Sequence, residues 1–175
     1  MKIDEALSLI RPIADYPKPG ILFQDVTPLL ANAEAFSLIT RELATAANGA
    51  HVIAGIEARG FIFASAIAHS LDLGFIPIRK AGKLPHQVFS QSYGLEYGTD
   101  VLEIHVDAVP FAGTVLLDDD ALATGGTLEA AIELVLRAGG TVVQIVALIE
   151  IESLGGRSRL ASKYPQIPIK TLVVS

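Results

Sequence analysis

The sequence predicts an α/β protein built on a central, mainly parallel β-sheet flanked by helices. Runs such as Thr114-Val115-Leu116-Leu117 and Val142-Val143-Gln144-Ile145-Val146 are nearly continuous rather than alternating, the pattern of strands covered on both faces. These runs alternate along the chain with helix-length stretches of apolar periodicity, which is how βαβ units read. A length of 175 residues fits one domain on the usual prior of roughly 100–200 residues each.

Taken in order, Ile3 to Ile13 reads as a helix. Tyr16-Pro17-Lys18-Pro19-Gly20 then interrupts regular structure, because each proline removes a donor and restricts the residue before it. A second helix is expected over Ala33 to Ala47, with Asn32 as its N-cap and Asn48-Gly49 at its end. His51 to Ile56 reads as a strand, Phe61 to Leu71 as a helix and Phe75 to Arg79 as a strand. Lys80 to Gly94 mixes Gly, Pro, Gln and Ser without sustained periodicity and reads as a long mobile loop, a feature often tied to function. Strands follow over Val101 to Val106 and Thr114 to Asp118, then a helix over Thr127 to Ala138 that Gly139-Gly140 ends through a left-handed backbone. Thr141 to Ile151 and Ile169 to Val174 complete the strands.

Composition excludes several classes of function. Apolar residues make up 51% and charged residues 18%, against about 25% charged in an average soluble domain, so a disordered chain is excluded. Glu57, Arg59, His69, Gln144 and Glu150 interrupt the most apolar segments, so no membrane span is expected, and Asp4 and Glu5 argue against a signal peptide. Without cysteine there is no disulfide or thiolate chemistry, and a cytoplasmic protein is expected. The net charge of -6 opposes a broad nucleic-acid surface. His51, His69, His86 and His105 have no metal-ligand spacing.

The most informative segment runs from Val115 through Leu116-Leu117-Asp118-Asp119-Asp120-Ala121-Leu122 to Ala123-Thr124-Gly125-Gly126-Thr127. A buried strand delivers carboxylates to its C-terminal end, and a turn of small residues then opens a helix, the place where open α/β sheets hold ligands. Ala123, Thr124, Gly125, Gly126 and Thr127 can converge backbone N–H groups on one phosphate, helped by the two hydroxyls. A Gly-Gly-Thr alone would be a capping turn. An apolar run ending in three carboxylates, however, is costly near a sheet without partners. Neither a Walker loop nor a dinucleotide fingerprint is present.

This string resembles the phosphoribosyl-diphosphate-binding signature of the type I phosphoribosyltransferases. Tyr16 to Phe23, Gly55 to Phe61, Arg79 to Pro85, Leu95-Glu96-Tyr97-Gly98, Leu102 to His105 and Asp107-Ala108 look like the adenine-specific branch of that family. The resemblance implies a sheet-and-helix fold of that type with a small N-terminal hood from about residues 1–30. It implies transfer of a phosphoribosyl group from 5-phospho-α-D-ribose 1-diphosphate to adenine, giving AMP and diphosphate with Mg²⁺, and it implies a homodimer.

Residue by residue, the resemblance puts Arg59 at the diphosphate, with a cis bond expected at Glu57-Ala58, and adds Arg79, Lys80 and Lys83 as further cations. Asp119 and Asp120 would hold the ribose hydroxyls and reach the metal only through substrate or water. Glu96 would assist proton movement at the base, Phe23 would stack on adenine, and the Leu22 backbone would read its edge. Closure of Lys83 to Tyr93 would exclude water.

Three positions depart from the family pattern. Gln24 stands where arginine is usual, Ala121 where a larger aliphatic residue covers the other face of the base, and Asp118 where the strand is usually apolar. A transferase for another purine therefore stays open, as does a regulator that binds the donor without turnover. Asp118-Asp119-Asp120 also has the Asp-x-Asp pattern of haloacid-dehalogenase phosphatases, but that motif belongs near an N-terminus and needs a following Lys and acidic pair.

Overall fold

The computed structural model describes residues 1–95 and 98–175. The chain forms two compact units, Met1–Glu42 and Leu43–Ser175.

The first unit opens with helix α1 (Ile3–Leu7), followed by β1 (Arg11–Ala14) and β2 (Leu22–Asp25), which pair antiparallel. The helix expected over Ile3 to Ile13 therefore ends early. Pro12 lacks the N–H that a helix interior needs, and Arg11 instead reaches across the hairpin to Asp25 at 2.6 Å. Thr27 donates from both its N–H and its hydroxyl to Asp25. These bonds, with Arg11 secondary, hold the Asp25 pKa down to about 2. Helix α2 (Thr27–Ala31) and helix α3 (Ala33–Ala44) follow. Asn32 caps α3 as expected, its Oδ1 accepting the Ala35 N–H at 3.0 Å.

The second unit is a seven-stranded sheet. Its strands are β3 (Val52–Ile56), β4 (Gly74–Lys80), β5 (Val88–Leu95), β6 (Gly98–His105), β7 (Thr114–Leu122), β8 (Thr141–Glu150) and β9 (Ile169–Val174), in the order β5-β6-β4-β3-β7-β8-β9. From β4 to β9 all neighbours are parallel, while β6 joins β4, and β5 joins β6, antiparallel. Helices α4 (Gly60–Ser70), α5 (Gly126–Arg137) and α6 (Gly156–Lys163) accompany the sheet. Gly55 lets α4 come close to β3, since a Cβ there would lie 2.5 Å from that of Ala64. Alternate residues Val52, Ala54 and Ile56 join the core with Leu128, Ala131 and Val135 of α5. Gly139 ends α5 with a φ of 85°, as the sequence predicts.

The long loop read over Lys80 to Gly94 is shorter, because Val88–Leu95 is a strand. It is an edge strand with one partner, so it needs no continuous apolar run. Phe89 packs on the core and Tyr93 is buried, while Ser90 and Ser92 are exposed. Strand β7 also outlasts its predicted end at Asp118: its pairing with β8 continues through Asp119↔Ala147 to Leu122↔Glu150. Among the described residues, no helix is long and apolar enough to cross a membrane.

Candidate active site

The strand order places a topological switch between β3 and β7, because β3 leads outward to β4 on one side and β7 to β8 on the other. Ligands of open α/β sheets bind beyond the carboxyl ends of strands at such a point. Strand β3 runs into Glu57-Ala58-Arg59, with the Glu57–Ala58 peptide cis, and Arg59 is the N-cap of α4. Strand β7 arrives beside it carrying Asp118, Asp119 and Asp120. Arg59 Nη2 lies 2.5 Å from Asp120 Oδ2, so the ends of the two central strands meet as an ion pair. Gly60 makes the approach possible: a Cβ there would sit 3.1 Å from the Asp118 carbonyl and 3.2 Å from Asp119 Oδ1.

The three carboxylates differ in their surroundings. Asp118 is 0% exposed, pairs with Gly55 of β3 and Val146 of β8, and among the described residues neither oxygen has a hydrogen-bond partner. Burial first, then the charges of Asp119 and Asp120, push its pKa well above the usual carboxylate value. Asp119, 9% exposed, accepts the Asp120 N–H at 2.9 Å, and burial followed by repulsion from Asp120 raises it too. Burial also raises Asp120, with Arg59 opposing. Such acids favour partners that supply hydrogen-bond donors or positive charge.

Beyond β7 the chain turns at Ala123-Thr124-Gly125 into α5. Gly125 adopts a φ of 81° and is the helix N-cap, without a side-chain cap bond. The N-cap thus supplies no capping side chain, and the Gly126 N–H has only a long bond of 3.5 Å to the Thr124 hydroxyl, an arrangement that suits an anion. Ala121, Ala123, Thr124, Gly125, Thr127, Leu128 and Leu154 line a cavity of about 210 Å³. Leu154, 42% exposed, comes from a 3-10 turn (Glu152–Leu154) after β8. No sequence signal marked it, because a lone leucine in a short turn carries no periodicity.

Arg79 and Lys80 carry carboxylate partners of their own. Arg79 Nη2 reaches Glu57 Oε1 at 2.9 Å, its Nη1 donates to the Lys83 carbonyl at 3.2 Å, and the Lys80 N–H donates to Glu57 at 2.9 Å. The Arg79 hydrogen bonds hold the Glu57 pKa low. Lys80 Nζ contacts Tyr93 Oη at 2.5 Å and pairs with Asp100, whereas the Lys83 residue is exposed. A larger cleft of about 370 Å³ lies among β5, α5 and α6, where Arg159 and Lys163 are paired with Glu129.

Residues 27–170 match the phosphoribosyl transferase domain family. The chain is 57% identical over 153 residues to the adenine phosphoribosyltransferase of Parvibaculum lavamentivorans, covering 86% of this chain and 87% of that one. The chain belongs to the adenine phosphoribosyltransferases. The crystal structure of the enzyme of that name from Thermoanaerobacter pseudethanolicus superposes with a TM-score of 0.93 at 45% identity, covering 99% of this chain and 100% of the other. The Giardia lamblia enzyme, complexed with 9-deazaadenine, gives 0.92 at 36% identity, with 100% and 98% covered.

Of the positions that the adenine phosphoribosyltransferase resemblance singles out, the structure brings together Arg59, Asp119, Asp120 and the Ala123 to Thr127 turn, with Ala121 on the adjoining cavity. Leu22 and Phe23 lie in the first unit on β2, Leu22 exposed and Phe23 edge-on to Tyr16 at 5.1 Å between ring centroids. Glu96 and Tyr97 lie outside the described residues.

Proposed function

We propose that the protein transfers the 5-phosphoribosyl group of 5-phospho-α-D-ribose 1-diphosphate to adenine, forming AMP and diphosphate in purine salvage. The observation that carries this reading is the switch point itself, where Asp119, Asp120 and Arg59 meet directly ahead of a glycine-rich helix start whose N-cap, Gly125, has no side chain. The bond from the anomeric carbon to diphosphate breaks as a bond to a ring nitrogen of adenine forms. Positive charge develops on the ribose and negative charge on the leaving group, so the site must stabilise both.

The amides of Ala123, Thr124, Gly125, Gly126 and Thr127 hold the 5-phosphate, with the Thr124 and Thr127 hydroxyls. Asp119 and Asp120 accept hydrogen bonds from the ribose hydroxyls, and their negative charge favours the cationic ring. Arg59 and Lys83 meet the diphosphate; Arg79 and Lys80 join them by exchanging Glu57 and Asp100 for the ligand. Glu96 takes part in proton movement at the base, which stacks on Phe23, has its edge read by the Leu22 backbone and faces Ala121. Residues 1–30 act as the hood over the base.

Asp119 and Asp120 suit Mg²⁺ as an ion carried by the donor: they are hard carboxylates, and among the described residues no group of three His, Cys, Asp or Glu forms a metal cage. When bound, the ion neutralises charge on the departing diphosphate. A homodimer is supported by the low charged fraction, 18%, and by Ile62 and Leu71 exposed along and just after α4. The highly charged donor does not cross a bilayer, which supports the cytoplasm as the place of action.

The test is a purine panel with the donor and Mg²⁺, following nucleotide formation. Adenine is expected to be the best acceptor. Turnover of hypoxanthine or guanine without adenine would overturn the base assignment, and no product from any base would point to a donor-binding regulator. In single-turnover experiments, Glu96→Gln is expected to slow the chemical step more than it weakens donor binding; an unchanged rate would remove Glu96 from the mechanism.

A further inference from the structure

The back of the phosphate-binding turn rests on a segment far from it in sequence. Gly155, with a φ of 69°, swings the chain into α6, and Gly156, the first residue of that helix, is buried against the turn. A Cβ on Gly156 would lie 2.2 Å from the Ala123 carbonyl oxygen and 2.9 Å from the Gly125 nitrogen, both backbone atoms. The contact is reciprocal, since a Cβ on Gly125 would lie 3.0 Å from the Gly156 carbonyl oxygen and 3.4 Å from Leu160 Cγ. Two stretches of main chain therefore touch through two positions that lack side chains.

Helix α6 is the fixed member of this contact. Arg157 is bonded to Glu150, Thr171 and the Ile169 carbonyl; Arg159 and Lys163 are bonded to Glu129; and Leu160 is buried. A side chain at position 156 has to displace the Ala123 to Gly125 turn, because a clamped helix resists retreat in a close-packed interior.

We infer that Gly156 is a positioning residue for the phosphoribosyl donor: its bare backbone sets the curvature of the turn whose amides hold the donor's phosphate. This rests on the reading of that turn as the donor site. The tightest contact is to the turn, with Leu122 Cδ1 at the end of β7 next at 2.8 Å, so the inference separates the two substrates: donor binding depends on Gly156 more strongly than binding of the acceptor base does. Misplacing binding groups by about 1 Å can cost on the order of a hundredfold.

The experiment measures KM for donor and for adenine, with the unfolding midpoint, in Gly156→Ala, Thr127→Val and Gly140→Ala. Gly140 serves as the stability control, since a Cβ there would lie 2.7 Å from Val109 Cγ1 and burden the core away from the turn. Gly156→Ala is expected to raise the donor KM at least tenfold, with the adenine KM changed less than twofold, and Gly140→Ala is expected to lower the midpoint with both KM values kept. An unchanged donor KM in Gly156→Ala alongside a raised one in Thr127→Val overturns the role of Gly156 and leaves the donor site in place. An unchanged donor KM in both overturns the reading of the turn. Equal rises for both substrates, or a donor KM raised as much by Gly140→Ala, overturn the positioning role in favour of general destabilisation. Should Gly156→Ala fail to fold, Leu160→Val loosens the same support from behind: a donor-specific rise sustains the inference, and an unmoved donor KM refutes it.

Discussion

Strands β7 and β8 lie side by side, β7 with three buried carboxylates near its C-terminal end and β8 with one, and the two strands handle them in opposite ways. Glu150 on β8 is saturated: Arg157 Nε donates at 2.8 Å, Arg157 Nη2 at 2.5 Å and Thr171 Oγ1 at 2.8 Å. On β7, Asp118 has no hydrogen-bond partner among the described residues, and Asp120 is joined to Arg59 by an ion pair. The Arg157 bonds hold the Glu150 pKa low, whereas burial raises all three β7 acids. A buried carboxylate with its partners in place is costly to unpair, while acids whose pKa is raised at a sheet switch point mark a site where a ligand can supply the missing donors and charge.

The largest effect on folding is expected from breaking the paired end. Arg157→Ala strands the buried Glu150 and should cost roughly 2–3 kcal/mol in urea unfolding, below the 3–5 of a wholly enclosed pair because water can reach the arginine side. The sign with pH follows from the depressed pKa. The pairing contributes fully above the unfolded value of 4.5 and is lost as pH falls through the lower folded value, so this acid-side loss should be absent from the variant. Equal stability of the two proteins at neutral pH would erase the contrast between the strands.

Asp118→Val should act in the opposite direction, raising stability by about 1–3 kcal/mol, because it removes an unpartnered polar group from the sheet interior. Its folded pKa lies well above the unfolded 3.8. The penalty is therefore small in acid and grows as pH rises from 3.8 toward the raised value, so the variant's advantage should widen from pH 4 to pH 8. A destabilised variant would show that Asp118 has a partner after all. The smallest effect is expected from Thr127→Val, which removes one hydroxyl from the phosphate turn and should raise the donor KM several-fold, about 1 kcal/mol; an unchanged value would remove the Thr127 hydroxyl from the turn's contribution.

Much of this architecture was legible from sequence because its signals are contiguous. The buried strands read as apolar runs, and the acids of β7 sit next to the turn they serve. Strand β5 was hidden because an edge strand tolerates Ser90 and Ser92, and α2 and α6 were hidden because five and eight residues show little periodicity. The helix overcalled through Ile13 shows apolar spacing prevailing over the veto of Pro12. Within the candidate site, the features that escaped join distant segments: Arg59 with Asp120, Glu57 with Arg79, Asp100 with Lys80, and Gly156 with Ala123. Pairings across the sheet leave no mark on local spacing.

The contrast between the strands stands or falls on Asp119 and Asp120 together. The decisive measurement is AMP formation from adenine and the phosphoribosyl donor with Mg²⁺, comparing the wild-type protein with the double variant Asp119→Asn, Asp120→Asn. Turnover should fall by more than about a hundredfold while the unfolding midpoint stays level or rises, since two acids strained by burial are removed. Turnover kept near the wild-type rate would contradict the account.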